Sequence, residues 1–320
     1  MSILKIQNQK MKESIIIPNE YVRKIELMHG EEGKTWLESL PETVEEYAHK
    51  WSLKLGHPFP YATFNYAVPA EKQDGTTVVL KIGYPTDREF RSELEALKVF
   101  NGRGSIQLLE SDDDKNAILI ERAIPGAPLT SVKNDEEEMS IAATIMKNLW
   151  QPVPSGHQFH SVSDWGKGFE KMKEYFKEKP NPLPKELVDK AERLFTGLSA
   201  SQGEQVLLHG DLNHSNILSA QREPWLAIDP KGVIGEREYE IGVLLRNPQP
   251  ELLRLPDPKE VLERRIDQLA NELNLDRERT HGWGIAQAVL SAWWIIEDNG
   301  NDWEDAIACA EILNQIKIQT

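Results

Sequence analysis

The sequence lacks the features that mark exported, membrane-spanning and nucleic-acid-binding proteins. Its 320 residues include one cysteine, Cys309, which excludes an internal disulfide framework and a cysteine-based zinc site and favours a reducing compartment. No apolar run approaches the roughly 18 residues of a membrane span, and residues 1–12 show no signal-peptide pattern. The formal net charge of −15 argues against a nucleic-acid surface. We therefore expect a cytoplasmic protein that binds neither membrane nor nucleic acid, with Cys309 in its core.

The order of apolar and polar residues predicts an α+β protein with two parts. A chain of 320 residues with 39% apolar content can bury a large core, and it shows no internal repeat. Up to about residue 122, short strand-like runs alternate with helical stretches at Val44–Leu55 and Glu89–Phe100. From Asp135 onward the apolar spacing is mainly helical. We expect a division into residues 1–122 and 123–320.

One segment, His209–Asn216, has a spacing that indicates a chemistry. Asp211 stands two residues after a histidine and five before Asn216, as in the kinase catalytic loop, and twelve residues then separate Asn216 from Asp229. The apolar runs 206–208 and 225–228, which precede the loop and Asp229, predict short buried strands with room for a hairpin between them. The alternative is an ordinary polar loop whose Asp and Asn residues form turns.

These residue types suit phosphoryl transfer from ATP. The transferred group carries charge over several oxygens, so catalysis depends on position and on neutralisation by Mg²⁺, which prefers oxygen ligands. Asn216 and Asp229 can supply such ligands, and Asn216 does so without adding negative charge. Asp211 can accept the proton of the acceptor hydroxyl.

A cation for the nucleotide phosphates is expected upstream of the catalytic loop. Lys81 follows the β-branched run in the segment Thr76–Gly83 and is our candidate, although a lysine at a strand end is often an ordinary surface residue. Its ion-pair partner is expected on the helix that follows. We choose Glu93, with Glu95 or Glu89 as alternatives.

Together these segments resemble the aminoglycoside phosphotransferase superfamily, whose members carry a His-Gly-Asp loop. Within it, the chain is most similar to the streptomycin 6-kinase and hydroxyurea-resistance kinase branch, and the likeness covers roughly residues 20–315. The segments that carry the branch likeness are Asp229–Gly235, Val243–Pro248, Trp36–Pro41, Glu121–Arg122 with Pro125–Gly126, and Leu290–Trp294.

The resemblance implies a two-lobed protein-kinase-like fold, with a small β-rich nucleotide-binding lobe over 1–122 and a larger, mainly helical lobe over 123–320 for catalysis and acceptor binding. The implied roles are Asp211 as catalytic base, Asn216 and Asp229 as magnesium ligands, Lys81 as phosphate cation paired with Glu93, and Glu121 and Ala123 as linker residues whose backbone binds adenine. Two departures stand out. Glu240 occupies the place of an Asp usual in the branch, and residues 65–70 before Lys81 contain no glycine-rich loop.

The expected activity is an ATP- and magnesium-dependent phosphorylation of a hydroxyl on a cationic, streptomycin-like acceptor, with antibiotic resistance as the role that the resemblance implies. Acidic side chains that could meet the acceptor follow Asp229 and lie near the C-terminus, although such runs are more often solvated surface. The candidates are Glu236, Glu238, Glu240 and Asp298. Alternatives are a metabolite kinase acting on a sugar, amino alcohol or hydroxyurea-like acceptor, and a non-catalytic nucleotide-binding protein.

Other chemistries are disfavoured. His209 and His214 are five residues apart, which is poor geometry for a helical zinc pair. His209 is expected to hold its own loop by hydrogen bonds. A protein kinase is disfavoured because no Ala-Pro-Glu segment follows Asp229.

Overall fold

The computed structural model describes residues 15–59, 64–298 and 300–317, which form two compact units. The first unit contains the described residues up to Asp87 together with 109–122, and the second contains 88–108 and the chain from Ala123 onward. A boundary between the two units follows Arg122, and the segment 88–108 belongs to the second unit.

The first unit is an antiparallel sheet packed against one long helix. The helix, α1, runs from Asn19 to Lys50 and breaks at Gly30, which has φ 55°. The sheet has the strand order β1-β2-β3-β5-β4. Its strands are β1 Leu53–Leu55, β2 Tyr66–Lys72, β3 Thr77–Ile82, β4 Leu108–Asp112 and β5 Ala117–Glu121. Buried side chains of α1, such as Leu40 and Val44, pack against Val68 and Leu80 of the sheet and form a core within this unit.

The helix expected at Val44–Leu55 is only partly correct. α1 ends at Lys50, and Ser52 then adopts a positive φ of 54° that turns the chain into β1. Leu53 and Leu55 alternate with exposed Lys54 as a strand requires. Leu53 and Leu55 continue the apolar spacing of the helix in the sequence, but they belong to the sheet.

The second unit is mainly helical. Its helices are α2 Arg88–Phe100, α3 Asp135–Leu149, α4 Val162–Trp165, α5 Lys167–Tyr175, α6 Lys185–Ala200, α7 Arg237–Leu245, α8 Pro258–Leu273, α9 Arg277–Glu297 and α10 Trp303–Asn314, with short 3₁₀ turns at Leu129–Ser131 and Leu252–Arg254. Helix α9 is buried along most of its length and packs against α6, α7 and α10. Cys309 of α10 lies in this core, as expected. Among the described residues, no helix is both long and apolar enough to cross a membrane.

Short strands in the second unit hold the catalytic segment. They are β6 Gln151–Pro152, β7 His160–Ser161, β8 Gln205–Leu208, β9 Ile217–Ser219, β10 Trp225–Ala227 and β11 Val233–Glu236. Four of them form a sheet in the order β6-β8-β11-β7, and β9 pairs with β10 as an antiparallel hairpin. The buried strands before the loop and before Asp229, and the hairpin between them, are therefore confirmed.

Candidate active site

The loop between β8 and β9 is closed by its own amide side chains. The side-chain nitrogen of Asn216 donates to the backbone oxygen of Asp211 at 2.8 Å and to its carboxylate Oδ2 at 3.3 Å. Asn213 donates to the other carboxylate oxygen at 3.3 Å. Both oxygens of Asp211 are thus oriented by neutral donors, so the direction of the carboxylate is fixed while its charge is not cancelled by a cation within the loop.

Asp229 adjoins this loop. The preceding residue, Ile228, donates its backbone N–H to the carbonyl of Asn216 at 2.9 Å. Its own carbonyl accepts a hydrogen bond from Nε2 of the His209 ring at 2.8 Å. Asp229 itself has a positive φ of 56°, which turns the chain sharply after β10. The structure therefore brings Asp211, Asn216 and Asp229 together where β8, β9 and β10 meet the loop.

His209 stabilises the loop through hydrogen bonds at both of its ring nitrogens. Its ring is fully buried, and burial lowers its pKa to about 4 even though the nearby Asp211 and Asp229 favour the charged form. Nδ1 accepts the N–H of Asp211 at 3.2 Å, so Nε2 carries the hydrogen donated to Ile228. The ring is neutral and links the loop to the segment that contains Asp229.

Glu240 holds the same loop from the other side. Its carboxylate, fully buried in the first turn of α7, accepts the backbone N–H groups of His209 at 2.7 Å and Gly210 at 2.9 Å. Burial raises its pKa to about 7, and the two hydrogen bonds oppose that rise. We expected Glu240 among the acceptor contacts. It instead faces inward and positions the loop backbone.

Glu236 also departs from the expected acceptor role. It is 2% exposed, and its carboxylate pairs with Arg279 at 2.6 Å and accepts the backbone N–H of Gly203 at 3.0 Å and the indole N–H of Trp283. Such a satisfied buried carboxylate is a structural group. Glu238 is half-buried beside the start of α9, and Asp298 is exposed at the end of that helix. Only these two of the four acidic candidates lie where a solute could reach them.

Gly210 is required by the packing of the loop, which sequence reasoning did not show. It has φ +84°, and a methyl group there would lie 2.9 Å from the ring of Trp165 and 3.0 Å from Val233. Trp165 ends α4 and belongs to no recognisable motif. Its contact with the loop therefore could not be read from the sequence.

Lys231 forms an ion pair with Glu89 of α2. Burial disfavours its charge, but Glu89, Asp211 and Glu93 more than compensate and raise its pKa. Glu95 pairs with Lys98 at 2.8 Å. Each alternative to Glu93 thus pairs with a lysine of the second unit, and Glu93 is 5% exposed on the inner face of α2.

The nucleotide-side candidates lie on separate elements. Lys81 is 6% exposed on β3, opposite Ala67 and Ile118. Glu121 is the last residue of β5, opposite Val78. Ala123 opens the second unit, shortly before a cis peptide bond between Ile124 and Pro125.

These features together define a kinase of the protein-kinase-like fold. The chain has a β-sheet unit, a helical unit and a His-Gly-Asp loop beside a second aspartate. Solved structures support this fold at low sequence identity. An aminoglycoside phosphotransferase, crystallised as a thermostable mutant with ADP and hygromycin B, matches with a TM-score of 0.59, 14% identity and coverage of 84% of this chain and 96% of that one. A choline kinase from Streptococcus pneumoniae matches with a TM-score of 0.59, 13% identity and coverage of 87% and 99%. The expected fold is confirmed.

The chain belongs to the aminoglycoside/hydroxyurea antibiotic resistance kinase family, which it matches over residues 57–299. A streptomycin 6-kinase from Streptomyces glaucescens is 31% identical over 84% of this chain and 87% of its own length. A hydroxyurea phosphotransferase from Kitasatospora aureofaciens is 30% identical over 93% and 85%. These relatives confirm the resemblance that the motifs carried.

Proposed function

We propose that this chain transfers the γ-phosphoryl group of ATP to a hydroxyl of a small, aminoglycoside-like acceptor of the streptomycin type, with Mg²⁺, in the cytoplasm. The observation that carries the proposal is the closed loop in which Asn216 orients Asp211 beside Asp229. Family membership supports the same chemistry. ATP use is what kinase relatives imply.

The acceptor hydroxyl gives its proton to Asp211 as its oxygen attacks the γ-phosphorus. The new O–P bond forms while the bond to the β-phosphate oxygen breaks, and ADP leaves. The two amide donors, Asn213 and Asn216, aim the carboxylate without neutralising it, which suits a base. Lys81 is proposed to neutralise the nucleotide phosphates and Glu93 to orient Lys81. The backbone groups of Glu121 and Ala123 are proposed to bind adenine.

The donor set fits a magnesium ion. The side-chain nitrogen of Asn216 is directed at Asp211, so the amide oxygen points the other way and is available as a ligand. Asp229 adds one carboxylate, and phosphate oxygens would complete the hard-ligand set. In the part of the chain that the structure describes, no group of three or more His, Cys, Asp or Glu side chains could hold a metal ion by itself. Mg²⁺ would neutralise charge on the transferring group.

A second candidate is a metabolite kinase that phosphorylates a hydroxyurea-like molecule, a sugar or an amino alcohol. It is favoured by the relative from Kitasatospora aureofaciens, whose name gives hydroxyurea as its acceptor. A nucleotide-binding protein without catalysis is the remaining alternative.

Magnesium-dependent ADP formation, measured across a panel of streptomycin, other aminoglycosides, hydroxyurea, sugars and amino alcohols, separates these proposals. We expect turnover with streptomycin and loss of turnover on Asp211→Asn. Turnover restricted to sugars, amino alcohols or hydroxyurea would favour the metabolite kinase. Tight ATP binding without turnover of any panel member would favour the non-catalytic protein.

A further inference from the structure

The catalytic loop alternates between side chains that face the core and side chains that face outward. Leu212 and His214 are buried and anchor the loop to the second unit. Asp211 and Asn213 are half-buried, and Ser215 is exposed. Alternate residues therefore give the loop an anchored side and an outer side, and the outer side carries the proposed catalytic base together with two further polar side chains.

Hydrogen bonds join these three outer side chains in one direction. Ser215 donates both its hydroxyl and its backbone N–H to Oδ1 of Asn213, at 2.5 Å and 2.8 Å. Asn213 in turn donates its side-chain nitrogen to Oδ1 of Asp211 at 3.3 Å. The hydroxyl of Ser215 thus reaches the carboxylate of Asp211 through the amide of Asn213.

The two donors of Ser215 decide which way the Asn213 amide points. An amide oxygen accepts hydrogen bonds and an amide nitrogen donates them, so a flipped amide would place its N–H groups against two donors. The same flip would turn the amide oxygen toward the Asp211 carboxylate, where two acceptors would meet. The observed orientation avoids both conflicts, and the Ser215 hydroxyl helps to keep it.

Asn213 and Asn216 differ in what their amides can still bind. Asn216 also donates to the Asp211 carboxylate, at 3.3 Å, and its oxygen is the proposed magnesium ligand. The oxygen of Asn213 already accepts the two donors of Ser215, which matches its two lone pairs. Asn213 therefore suits the positioning of the base and does not suit a metal ligand.

We infer that Ser215 is a positioning residue for phosphoryl transfer: its hydroxyl fixes the Asn213 amide, and that amide holds Asp211 in the direction in which it receives the acceptor's proton. The inference rests on the proposed function and adds a residue to that site. A displacement near 1 Å can slow a reaction about a hundredfold. Because Ser215 acts on the direction of the base, its loss is expected to lower kcat and to leave the KM of ATP unchanged.

Steady-state kinetics test the inference with variants of both residues. Ser215→Ala is expected to lower kcat roughly two- to tenfold, because one hydrogen bond to the Asn213 oxygen is lost and the backbone N–H remains. Ser215→Thr keeps a hydroxyl and is expected to recover most of the loss. Asn213→Asp keeps an acceptor for Ser215 but turns a second acceptor toward Asp211, so kcat is expected to fall roughly ten- to a hundredfold.

Two matched controls carry the same local hydrogen bonds elsewhere in the chain. Ser111 of β4 donates its hydroxyl to the side chain of Asp113, two residues on, at 2.8 Å. Asn181 is exposed, and its side-chain oxygen accepts the backbone N–H of Leu183, two residues on, at 2.9 Å. Ser111→Ala and Asn181→Asp are expected to keep the wild-type kcat.

The side-chain amide of Asn213 gives a readout that does not depend on turnover. Its ¹⁵N–¹H resonances are assigned by their absence in Asn213→Asp, and they report how fast the amide hydrogens exchange with water. Ser215→Ala is expected to speed this exchange roughly two- to tenfold, because the amide turns away from Asp211 more often. Ser215→Thr is expected to restore the slow exchange.

A wild-type kcat for Ser215→Ala, or a loss of kcat that Ser215→Thr does not restore, would overturn the positioning role. Unchanged exchange of the Asn213 amide in Ser215→Ala would overturn it as well. If the wild type phosphorylates no acceptor while Ser215→Ala still speeds the exchange, the orientation of Asn213 by Ser215 stands and the proposed function fails.

Discussion

The substitution Glu240→Gln separates the positioning of the catalytic loop from the stability of the fold. Glutamine keeps the shape of the side chain but can accept only one of the two backbone N–H groups, those of His209 and Gly210, that the carboxylate accepts. The other N–H would face an amide donor. We expect the loop to shift and kcat to fall about ten- to a hundredfold, since a displacement near 1 Å can cost about a hundredfold. The KM for ATP is expected to change little.

The effect of this substitution on stability is expected to be much smaller than its effect on rate. The rise of the Glu240 pKa from 4.5 to about 7 means that keeping the carboxylate ionised in the folded state costs about 3 kcal/mol. The protonated carboxyl therefore adds about this much to the free energy of unfolding below pH 4.5, and this contribution is lost as the pH rises through about 7. Glutamine removes the cost but leaves one buried N–H unsatisfied, at about 1–3 kcal/mol. At pH 8 the relief of the ionisation cost and the cost of the unsatisfied N–H nearly cancel.

The assays are steady-state phosphoryl transfer and urea unfolding between pH 5.5 and 8.5. Because the ionised carboxylate is the better acceptor, the wild-type kcat is expected to rise with pH through about 7, an inflection that Glu240→Gln lacks. Glu236→Gln is the matched control, because it alters a buried glutamate of the same segment that pairs with Arg279 and does not touch the loop. It is expected to lower stability and preserve kcat. A wild-type rate for Glu240→Gln at pH 8 would refute the positioning role.

Three further predictions concern single side chains. Asp211→Asn is expected to lower kcat about a hundred- to ten-thousandfold while ADP affinity by calorimetry is retained, since a positioned base contributes about that much; a rate within tenfold of wild type would argue against the base. Gly210→Ala is expected to destabilise by about 1–3 kcal/mol in urea unfolding and to slow turnover, because φ is +84° and the methyl group meets Trp165; unchanged unfolding would show that the loop relaxes freely. Cys309 is expected to resist a thiol reagent until the protein unfolds, because burial raises its pKa to about 12; rapid labelling of folded protein would contradict its place in the core.

The catalytic segments could be predicted because their information is local. Asp211 and Asn216 lie in one short loop, and the apolar runs before the loop and before Asp229 are bounded by turn residues, so β8 and β10 follow from the pattern. Helix α2 was predicted almost to its ends by its apolar face. Short-range spacing and alternation sufficed for these elements.

What the sequence did not reveal depends on packing between distant segments. Glu236, Glu238 and Glu240 look alike as an acidic run, but only tertiary contacts decide that Glu240 meets the loop and Glu236 meets Arg279. Trp165 reaches Gly210 from a helix that carries no motif. Charge of one sign along a chain does not tell which side chains turn inward, and that is why the acidic acceptor hypothesis was wrong for two of its four residues.

The most direct test of the account is metal binding by the nucleotide complex. Mn²⁺, which can stand in for Mg²⁺, is titrated by electron paramagnetic resonance into the ADP complexes of the wild type, Asn216→Leu and Asp229→Ala, with Asp298→Asn as control. If Asn216 and Asp229 share one cation, both variants weaken Mn²⁺ binding, lose turnover and are not restored by excess metal, whereas the control behaves as wild type. Unchanged Mn²⁺ affinity in either variant would contradict the claim that these two residues form a single metal site beside Asp211.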